Sequence, residues 1–113
     1  MSDVLQVYTA AGSQEAALRL AQGAVRARLA AGGQVIGPVE AVFWHEDTFG
    51  TGQEWQVVLR SSSARYPELE RYLREHHEWT NPEIAAVPVV AGSAAYLRWV
   101  CTTTGTAEGS ENT

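Results

Sequence analysis

Two adjacent histidines, His76 and His77, are the residues of this sequence best suited to hold a metal ion. They follow a segment with helical spacing of apolar residues, and imidazole is a common metal ligand. Neighbouring side chains on a helix point about 100° apart, so both can hold one ion only if the helix has unwound at His76. The alternative is structural, because imidazoles at a helix C-terminus interact with its negative end and satisfy free carbonyl groups.

A second group of metal-ligand residue types is the run His45-Glu46-Asp47. It lies in a segment that alternates like a β-strand, so Glu46 faces away from His45 and Asp47, and at most two of the three side chains converge. Near the turn of an exposed hairpin, the alternative is a solvated charged run.

Aromatic and charged residues in the second half of the chain suggest a cleft between subunits for a polar small molecule or an anion. Aromatic faces with a few convergent charges suit such a ligand. The residues that would line this cleft are Glu46, Glu54, Arg60, His77, Trp79, Glu83, Tyr96 and Trp99. The alternative is again structural, with Glu54, Arg60 and Glu83 paired across an interface in which the aromatic side chains pack.

Motifs of the common enzyme classes are missing from the sequence. It has no Gly-x-Ser-x-Gly, no phosphate loop, no dinucleotide fingerprint and no cysteine with a plausible histidine partner. Carboxylates such as Glu46 and Glu54 could do acid–base work, but spacing alone does not show it. We therefore expect a non-enzymatic protein with no catalytic residues.

Composition narrows the partners and the compartment. Thirteen acidic residues face eight basic ones, all of them arginine, for a net charge of −5. With no basic stripe, we expect no nucleic-acid partner. The longest apolar run, Ile84–Ala91, is too short to span a membrane and contains Pro88, so we expect no membrane partner. The N-terminus does not resemble a signal peptide and Cys101 is the only cysteine, so we expect a cytoplasmic location.

The segment 35–60 predicts a long β-hairpin at the centre of the fold. Its arms of roughly eight or more residues exceed the usual strand length. The run Thr48–Gly52 carries two glycines and predicts the turn. Along the second arm, one face holds Trp55, Val57 and Leu59, and the other holds Glu54, Gln56 and Arg60. Trp44 and Trp55 near the turn would project from so small a domain, so another copy of the chain most simply covers them.

The other elements alternate helix and strand around this hairpin. The predicted order begins with strand 4–9 and a helix that is capped by Ser13 and stops at Gly32-Gly33, with an apolar face of Leu18, Ala21, Val25 and Leu29. The hairpin follows, and then a helix entered through Ser61-Ser62-Ser63. The order ends with strand 83–90, in which Pro88 lies at an edge or bulge, and a short helix opened by Gly92-Ser93. This order predicts an α+β, ferredoxin-like split βαβ sandwich with a four-stranded antiparallel sheet. Residues 1–103 form one domain, and 104–113 are predicted to be a disordered tail.

Several short motifs occur in an order and spacing that point to one family. They are Thr9-Ala10, Leu29-Ala30-Ala31, the aromatic cluster Phe43-Trp44 followed by Glu46, Glu54 six residues before Arg60, His76-His77 followed by Pro82-Glu83, Val87-Pro88-Val89, and Tyr96 with Trp99. In these features the chain resembles the CutA family of divalent-cation tolerance proteins over roughly residues 4–100. It departs from the family pattern where Glu-Gly-Lys is expected after the aromatic cluster and where Glu78-Trp79 replaces Pro-Tyr.

The resemblance implies a homotrimer whose long hairpins wrap the neighbouring subunits, with a role in tolerance of, or response to, copper and other divalent metals. In family members assigned a copper site, a cysteine at the end of the first strand joins the histidine pair as a ligand. That implies His76 and His77 as metal ligands here and Cu(II) or another divalent metal as the bound ion. Tyr8 replaces the cysteine, and a phenol is neither soft nor ionised at neutral pH.

Two other functions remain open. A similar fold and trimer plan occurs in the nitrogen-regulatory PII proteins, so the chain could be a signalling module that senses a small anion or nucleotide at the subunit cleft. The lack of lysine and of a long basic loop speaks against this. The third possibility is a non-catalytic trimeric scaffold for a partner protein.

Overall fold

A four-stranded antiparallel sheet and three helices make up the protein. The computed structural model describes residues 2–105. The elements are β1 (Val4–Ala11), α1 (Gln14–Arg26), β2 (Gly32–His45), β3 (Thr48–Ser62), α2 (Tyr66–His76), β4 (Ala85–Pro88) and α3 (Ala94–Thr104). The strand order is β2-β3-β1-β4. The predicted element order and α+β, ferredoxin-like architecture are confirmed.

Helices α1 and α2 pack on one face of the sheet, which we call the covered face. Val7 of β1 and Val57 and Leu59 of β3 are fully buried there, against Leu69 and Leu73 of α2. These residues alternate along their strands, as predicted for the second arm of the hairpin. Burial of each such side chain contributes about 1.5–3 kcal/mol.

The buried side of α1 differs from the predicted one. The helix buries Ala16, Ala17, Leu20, Ala21 and Ala24, whereas Leu18 is 39% exposed. The sequence contains two overlapping apolar stripes, and the one rich in alanine lies against the sheet because small side chains let the helix come close. Of the predicted face, Ala21 and Leu29 are buried, and Leu29 lies beyond the helix.

The end of α1 was also predicted too late, at Gly32-Gly33. The helix ends at Arg26, because Arg28 adopts a left-handed backbone conformation with φ 61°. The N–H of Leu29 then donates to the carbonyl oxygen of Ala24 at 3.0 Å, as in a Schellman motif. The two glycines instead begin β2, where Gly33 gives the Leu59 side chain room: a Cβ on Gly33 would be 2.7 Å from Leu59 Cδ2.

The hairpin turn is Glu46-Asp47, not the predicted run Thr48–Gly52. Both residues have positive φ, 51° and 64°, and His45 pairs directly with Thr48 across the turn. Two successive positive φ values are typical of a type I′ hairpin turn, and Asp tolerates that conformation better than most residues. Gly50 lies inside β3, where the Phe43 ring covers it: a Cβ there would be 2.6 Å from Phe43 Cε1.

The predicted serine-rich entry to α2 is wrong. Ser61 and Ser62 end β3, and Arg65 precedes α2 without a side-chain capping bond. The Ser61 hydroxyl is buried and donates to the Leu29 carbonyl oxygen at 2.6 Å. This serine therefore ties the α1–β2 connection to β3 instead of capping a helix.

The last strand and helix are close to the prediction. Strand β4 is shorter than 83–90, but it lies at a sheet edge and ends at Pro88, as expected for a residue that cannot donate to a ladder. Helix α3 begins with the Ser93 cap. It continues through buried Thr104, whose hydroxyl lies 2.9 Å from Ser62 Oγ, so the helix reaches the first residue of the predicted tail. Gly105 follows as the C-cap of α3, and residues 106–113 lie outside the described residues.

Helix α3 packs on the second face of the sheet, which we call the open face because α1 and α2 leave it uncovered. Val4, Ala31 and Val100 form a small buried cluster there. Within residues 2–105, no helix is long and apolar enough to cross a membrane.

Candidate functional site

His77 lies one residue beyond α2, where the backbone is already extended. Its Nε2 is 2.6 Å from the carbonyl oxygen of Ala10, and its Nδ1 accepts the backbone N–H of Trp79 at 3.0 Å. A carbonyl oxygen only accepts, so Nε2 carries the proton and Nδ1 is the acceptor of a neutral ring. Both nitrogens are therefore occupied in joining the segment after α2 to the end of β1.

His76 is held differently. Its Nδ1 donates to the carbonyl oxygen of Tyr72, one turn earlier in α2, at 2.9 Å. The imidazole stacks on the Tyr72 ring, with centroids 4.2 Å apart and an interplanar angle of 26°. Burial raises the pKa of Tyr72, so its hydroxyl stays protonated. The two histidines are thus anchored to different elements.

Tyr8, which replaces the cysteine ligand of the family pattern, also has a hydrogen-bond partner. Its hydroxyl donates to Gln6 Oε1 at 2.7 Å on the open face of β1. Burial raises the pKa of the Cys101 thiol, and the Asp3 carboxylate raises it further, so that side chain is not a ready thiolate. No group of three or more His, Cys, Asp or Glu side chains that could hold a metal exists within residues 2–105. The side chains of one chain therefore do not fit a resident copper ion.

The turn of the hairpin carries the second predicted cluster. His45 Nε2 and Glu46 Oε1 are 4.0 Å apart, and both side chains are exposed. Such a pair contributes little in water. The neighbouring Trp44 and Phe49 pair directly across the strands and make an edge-to-face contact at 5.8 Å. This part of the hairpin is an exposed aromatic surface with charges at its turn.

Only some of the predicted cleft residues meet in one chain. His77 and Trp79 have ring centroids 5.0 Å apart, and Trp79 lies beside Gly12 in the β1–α1 turn. The ring centroids of Tyr96 and Trp99 are 6.1 Å apart on α3.

The charged members are spread along the fold. Glu46 is in the hairpin turn and Glu83 is exposed just before β4. Glu54 and Arg60 share the open face of β3, but six residues of strand separate them by about 20 Å. A single cleft lined by all eight residues needs more than one chain and stays a prediction.

Arg60 has two neighbours that the sequence did not single out, Gln6 and Gln34. Gln6 is the cross-strand partner of Arg60 on β1. The Nη2 of Arg60 donates to Gln34 Oε1 at 3.1 Å. The Trp99 ring approaches the same place: Cη2 is 3.4 Å from the position of a Cβ on Gly32, which pairs with Arg60. The structure therefore brings Arg60 and Trp99 of the predicted set together. Strand alternation places each glutamine on one face, but only the register shows that they surround Arg60.

An apolar groove of about 430 Å³ runs between α1 and β2. It is lined by Leu18, Ala21, Gln22, Val25, Arg26 and Gly33. Three of these residues belong to the stripe that was predicted to face the core. Because β2 is an edge strand, this stripe lies next to unpaired backbone groups.

Comparison with known proteins gives one consistent family. The family model described as CutA1 divalent ion tolerance protein matches residues 5–103. The chloroplastic protein CutA 1 of Oryza sativa is 29% identical over 94 residues, which cover 83% of this chain and 53% of that protein. The chain thus spans about half the length of this plant relative. The divalent-cation tolerance protein CutA of Archaeoglobus fulgidus is 28% identical over 94 residues, 83% of this chain and 91% of the relative.

Solved structures agree with the sequence matches. The Cut A1 protein of Thermus thermophilus has a TM-score of 0.87 at 26% identity, covering 90% of this chain and 99% of that one. CutA1 from Oryza sativa has a TM-score of 0.87 at 27% identity, covering 92% and 95%. Sequence and fold agree over nearly the whole described chain, which therefore belongs to the CutA1 divalent ion tolerance family.

Proposed function

We propose that this chain acts in divalent-cation tolerance as a homotrimer in which each hairpin lies against a neighbouring subunit. The observation that supports this assembly is that, within residues 2–105, the half of the hairpin nearest its turn pairs with no other strand of the sheet. Strand β1 pairs with β3 only from Trp55 to Ser62, so residues 48–54 of β3 pair with β2 alone. We call residues 39–54 the ribbon. A two-stranded ribbon is marginally stable in water by itself.

The ribbon also exposes its apolar side chains. Val42, Trp44 and Phe49 are 71%, 74% and 60% exposed in the single chain. The molecule measures 49 × 26 × 22 Å, so its long axis is about twice the others. An exposed aromatic strand pair of this kind marks an interaction surface. A second copy is the simplest partner, and contact between unlike surfaces of identical chains forms a ring when the rotation between copies closes.

The proposed role is one of binding and assembly, without catalysis. It is supported by the family description, which names tolerance of ions and no reaction. The proposal does not depend on copper held by His76 and His77, because both imidazoles already hydrogen-bond to backbone groups. In the proposed role, a divalent metal is the ion to which the protein responds.

A cytoplasmic location is part of the proposal and rests on the sequence alone. Relatives are described from other compartments: the Oryza sativa protein as chloroplastic and a solved structure from Archaeoglobus fulgidus as periplasmic.

Growth in graded Cu(II) tests the role in cells that lack their own family member. We expect the wild-type chain to permit growth at a Cu(II) concentration that stops cells carrying an empty vector. The double variant Val42→Ser/Trp44→Ser should lose this protection, because it removes two apolar side chains from the ribbon and so weakens its contact with the neighbouring subunit. Wild-type protein that is abundant and soluble but gives no protection would contradict the proposed role.

Isothermal calorimetry with Cu(II) tests the histidine pair separately. We expect the His76→Ala/His77→Ala variant to give the same titration as the wild type, with the oligomer mass recorded for both. A stoichiometric site that disappears in the variant at unchanged mass would show that the pair does bind copper.

A further inference from the structure

We propose that the open face of the sheet carries a binding site for an oxyanion, a carboxylate or phosphate group on a small molecule, centred on Arg60. We call Arg60, Gln6 and Gln34 the Arg60 site. It goes beyond the proposed tolerance function, and it is formed by residues of one chain.

The sheet register places these three side chains together. Strand β3 is an inner strand with β2 on one side and β1 on the other. Arg60 pairs with Gln6 of β1 and with Gly32 of β2, two residues before Gln34. Cross-strand partners point to the same face, which here is the face not covered by α1 and α2. Arg60 is half-buried, so part of its side chain is already removed from water.

The hydrogen bonds of the site leave donors and few acceptors. A guanidinium only donates, so the Gln34 atom 3.1 Å from Arg60 Nη2 must be the amide oxygen. The Gln6 amide oxygen accepts the Tyr8 hydroxyl at 2.7 Å. Among residues 2–105, the NH₂ groups of both glutamines have no hydrogen-bond partner. Two amide NH₂ groups and the remaining N–H groups of Arg60 thus form a set of donors, which is complementary to an oxyanion.

The charge of Arg60 is not neutralised nearby. No carboxylate lies within 4.0 Å of it in the described part of the chain, whereas Arg65 pairs with Glu68 at 2.8 Å. The acidic residue on the same face of β3 is Glu54, about 20 Å along the strand. Within one chain, an anion at Arg60 would therefore meet a positive charge without a competing carboxylate.

Trp99 gives the site an aromatic border. Its Cη2 lies against Gly32, next to Arg60 in the sheet, and half of the indole surface remains exposed. Cη2 is 3.4 Å from the position of a Cβ on Gly32, which is van der Waals contact, so the ring packs on this strand. The structure therefore favours a ligand with an oxyanion and a flat or apolar part that packs on the indole.

Nuclear magnetic resonance titration of the full chain tests the site directly. The probes are sodium benzoate, sodium acetate and sodium phosphate, with sodium chloride at matched ionic strength as the control for salt effects. We expect saturable shifts of the Gln6 and Gln34 side-chain amides with benzoate and of the Trp99 indole N–H as well. Benzoate binding tighter than acetate identifies the aromatic border, and phosphate binding tighter than acetate identifies a phosphate ligand. Shifts equal to those in chloride would overturn the site.

Two variants and a matched control locate the binding. Arg60→Gln should weaken benzoate binding at least about tenfold, because it removes a charged donor. Arg71→Gln, the same change at an exposed position of α2, should leave binding unchanged. Gln34→Met keeps the charge and should weaken binding about threefold, as loss of one neutral hydrogen bond does. Unchanged binding in Arg60→Gln would disprove the assignment.

The oligomer mass of each variant separates this site from the proposed trimer. Loss of binding at unchanged mass supports the Arg60 site. A correct trimer without anion binding would leave the tolerance proposal standing and remove this one.

Discussion

The two faces of the sheet are built from alternate residues of the same strands, yet the open face carries polar side chains beside its small apolar cluster, whereas the covered face is almost entirely apolar. On β3, Val57 and Leu59 are fully buried under α1 and α2, whereas Gln56 and Arg60 on the open face keep contact with solvent. The covered face is apolar, and its stability comes from exclusion of water. The open face holds hydrogen-bonding groups that side chains of the same chain only partly satisfy.

Because the two faces differ, the residues that determine stability are not the residues that are available for binding. Because side chains alternate across a strand, a substitution at Leu59 changes the core and a substitution at Arg60 changes a surface. A rigid covered face can therefore position the polar groups of the open face without sharing residues with them.

The largest expected effect is the loss of a core side chain from the covered face. Leu59→Ala should lower the free energy of unfolding by about 2–5 kcal/mol, because a cavity replaces a fully buried side chain. Gln56→Ala on the open face should lower it by less than about 1 kcal/mol. Urea denaturation at one protein concentration measures both. Equal losses would mean that the two faces do not differ as described.

A smaller effect is expected where α2 meets α1. A Cβ on Gly23 would be 1.8 Å from the hydroxyl oxygen of Tyr72, so Gly23→Ala should cost about 1–3 kcal/mol of stability. Removing that oxygen in Gly23→Ala/Tyr72→Phe should restore part of the loss. A double variant no more stable than Gly23→Ala would show that the hydroxyl is not the obstacle, and urea denaturation distinguishes the two results.

One polar group on the covered face should give an effect of opposite sign. Thr9 is 1% exposed, and its hydroxyl has no hydrogen-bond partner within residues 2–105. Thr9→Val keeps the shape and removes the unsatisfied group, so we expect about 1 kcal/mol of added stability. A stability loss in thermal unfolding would instead indicate that the hydroxyl makes a bond in solution.

The smallest expected effect is a dependence of stability on alkaline pH. Burial raises the pKa of Tyr66 and Tyr72 above the ordinary value of 10.0, and a hydrogen bond with Glu70 raises that of Tyr66 further. A folded state that holds these protons more tightly than the unfolded state loses stability as pH rises above about 10.

Denaturation at pH 8 and at pH 10.5 measures this dependence. In Tyr72→Phe the decline between the two values should be shallower than in the wild type. An identical decline would show that Tyr72 does not contribute.

Much of the fold follows from local sequence signals. Alternation along β3 places Trp55, Val57 and Leu59 on one face, and the structure confirms it. The Ser13 and Ser93 caps were predicted correctly because each hydroxyl accepts an N–H of its own helix.

Two boundary errors, at the end of α1 and at the hairpin turn, occur where another residue adopts a backbone conformation typical of glycine. Arg28 ends α1 and Glu46-Asp47 turns the hairpin, all with positive φ, while nearby glycines lie in strands. Glycine is permissive in those conformations without being required, so its presence misplaced both boundaries.

The site was harder to predict than the fold. His76 and His77 were singled out by residue type, but each imidazole bonds to a backbone carbonyl oxygen, and the tertiary structure alone brings that of Ala10 near His77. Gln6 and Gln34 carry no motif, and their closeness to Arg60 depends on the register of three strands. Sequence spacing shows the face of a residue but not its cross-strand neighbours.

The most direct test of the proposed assembly is the mass in solution, by light scattering across a dilution series. We predict three times 12.3 kDa for the wild type and for Val90→Ser, and a lower mass for Val42→Ser/Trp44→Ser. Val90 is 70% exposed, nearly the same as Val42, but lies outside the ribbon. A wild-type mass of one chain, or a double variant that stays trimeric at every dilution, would contradict assembly through the ribbon.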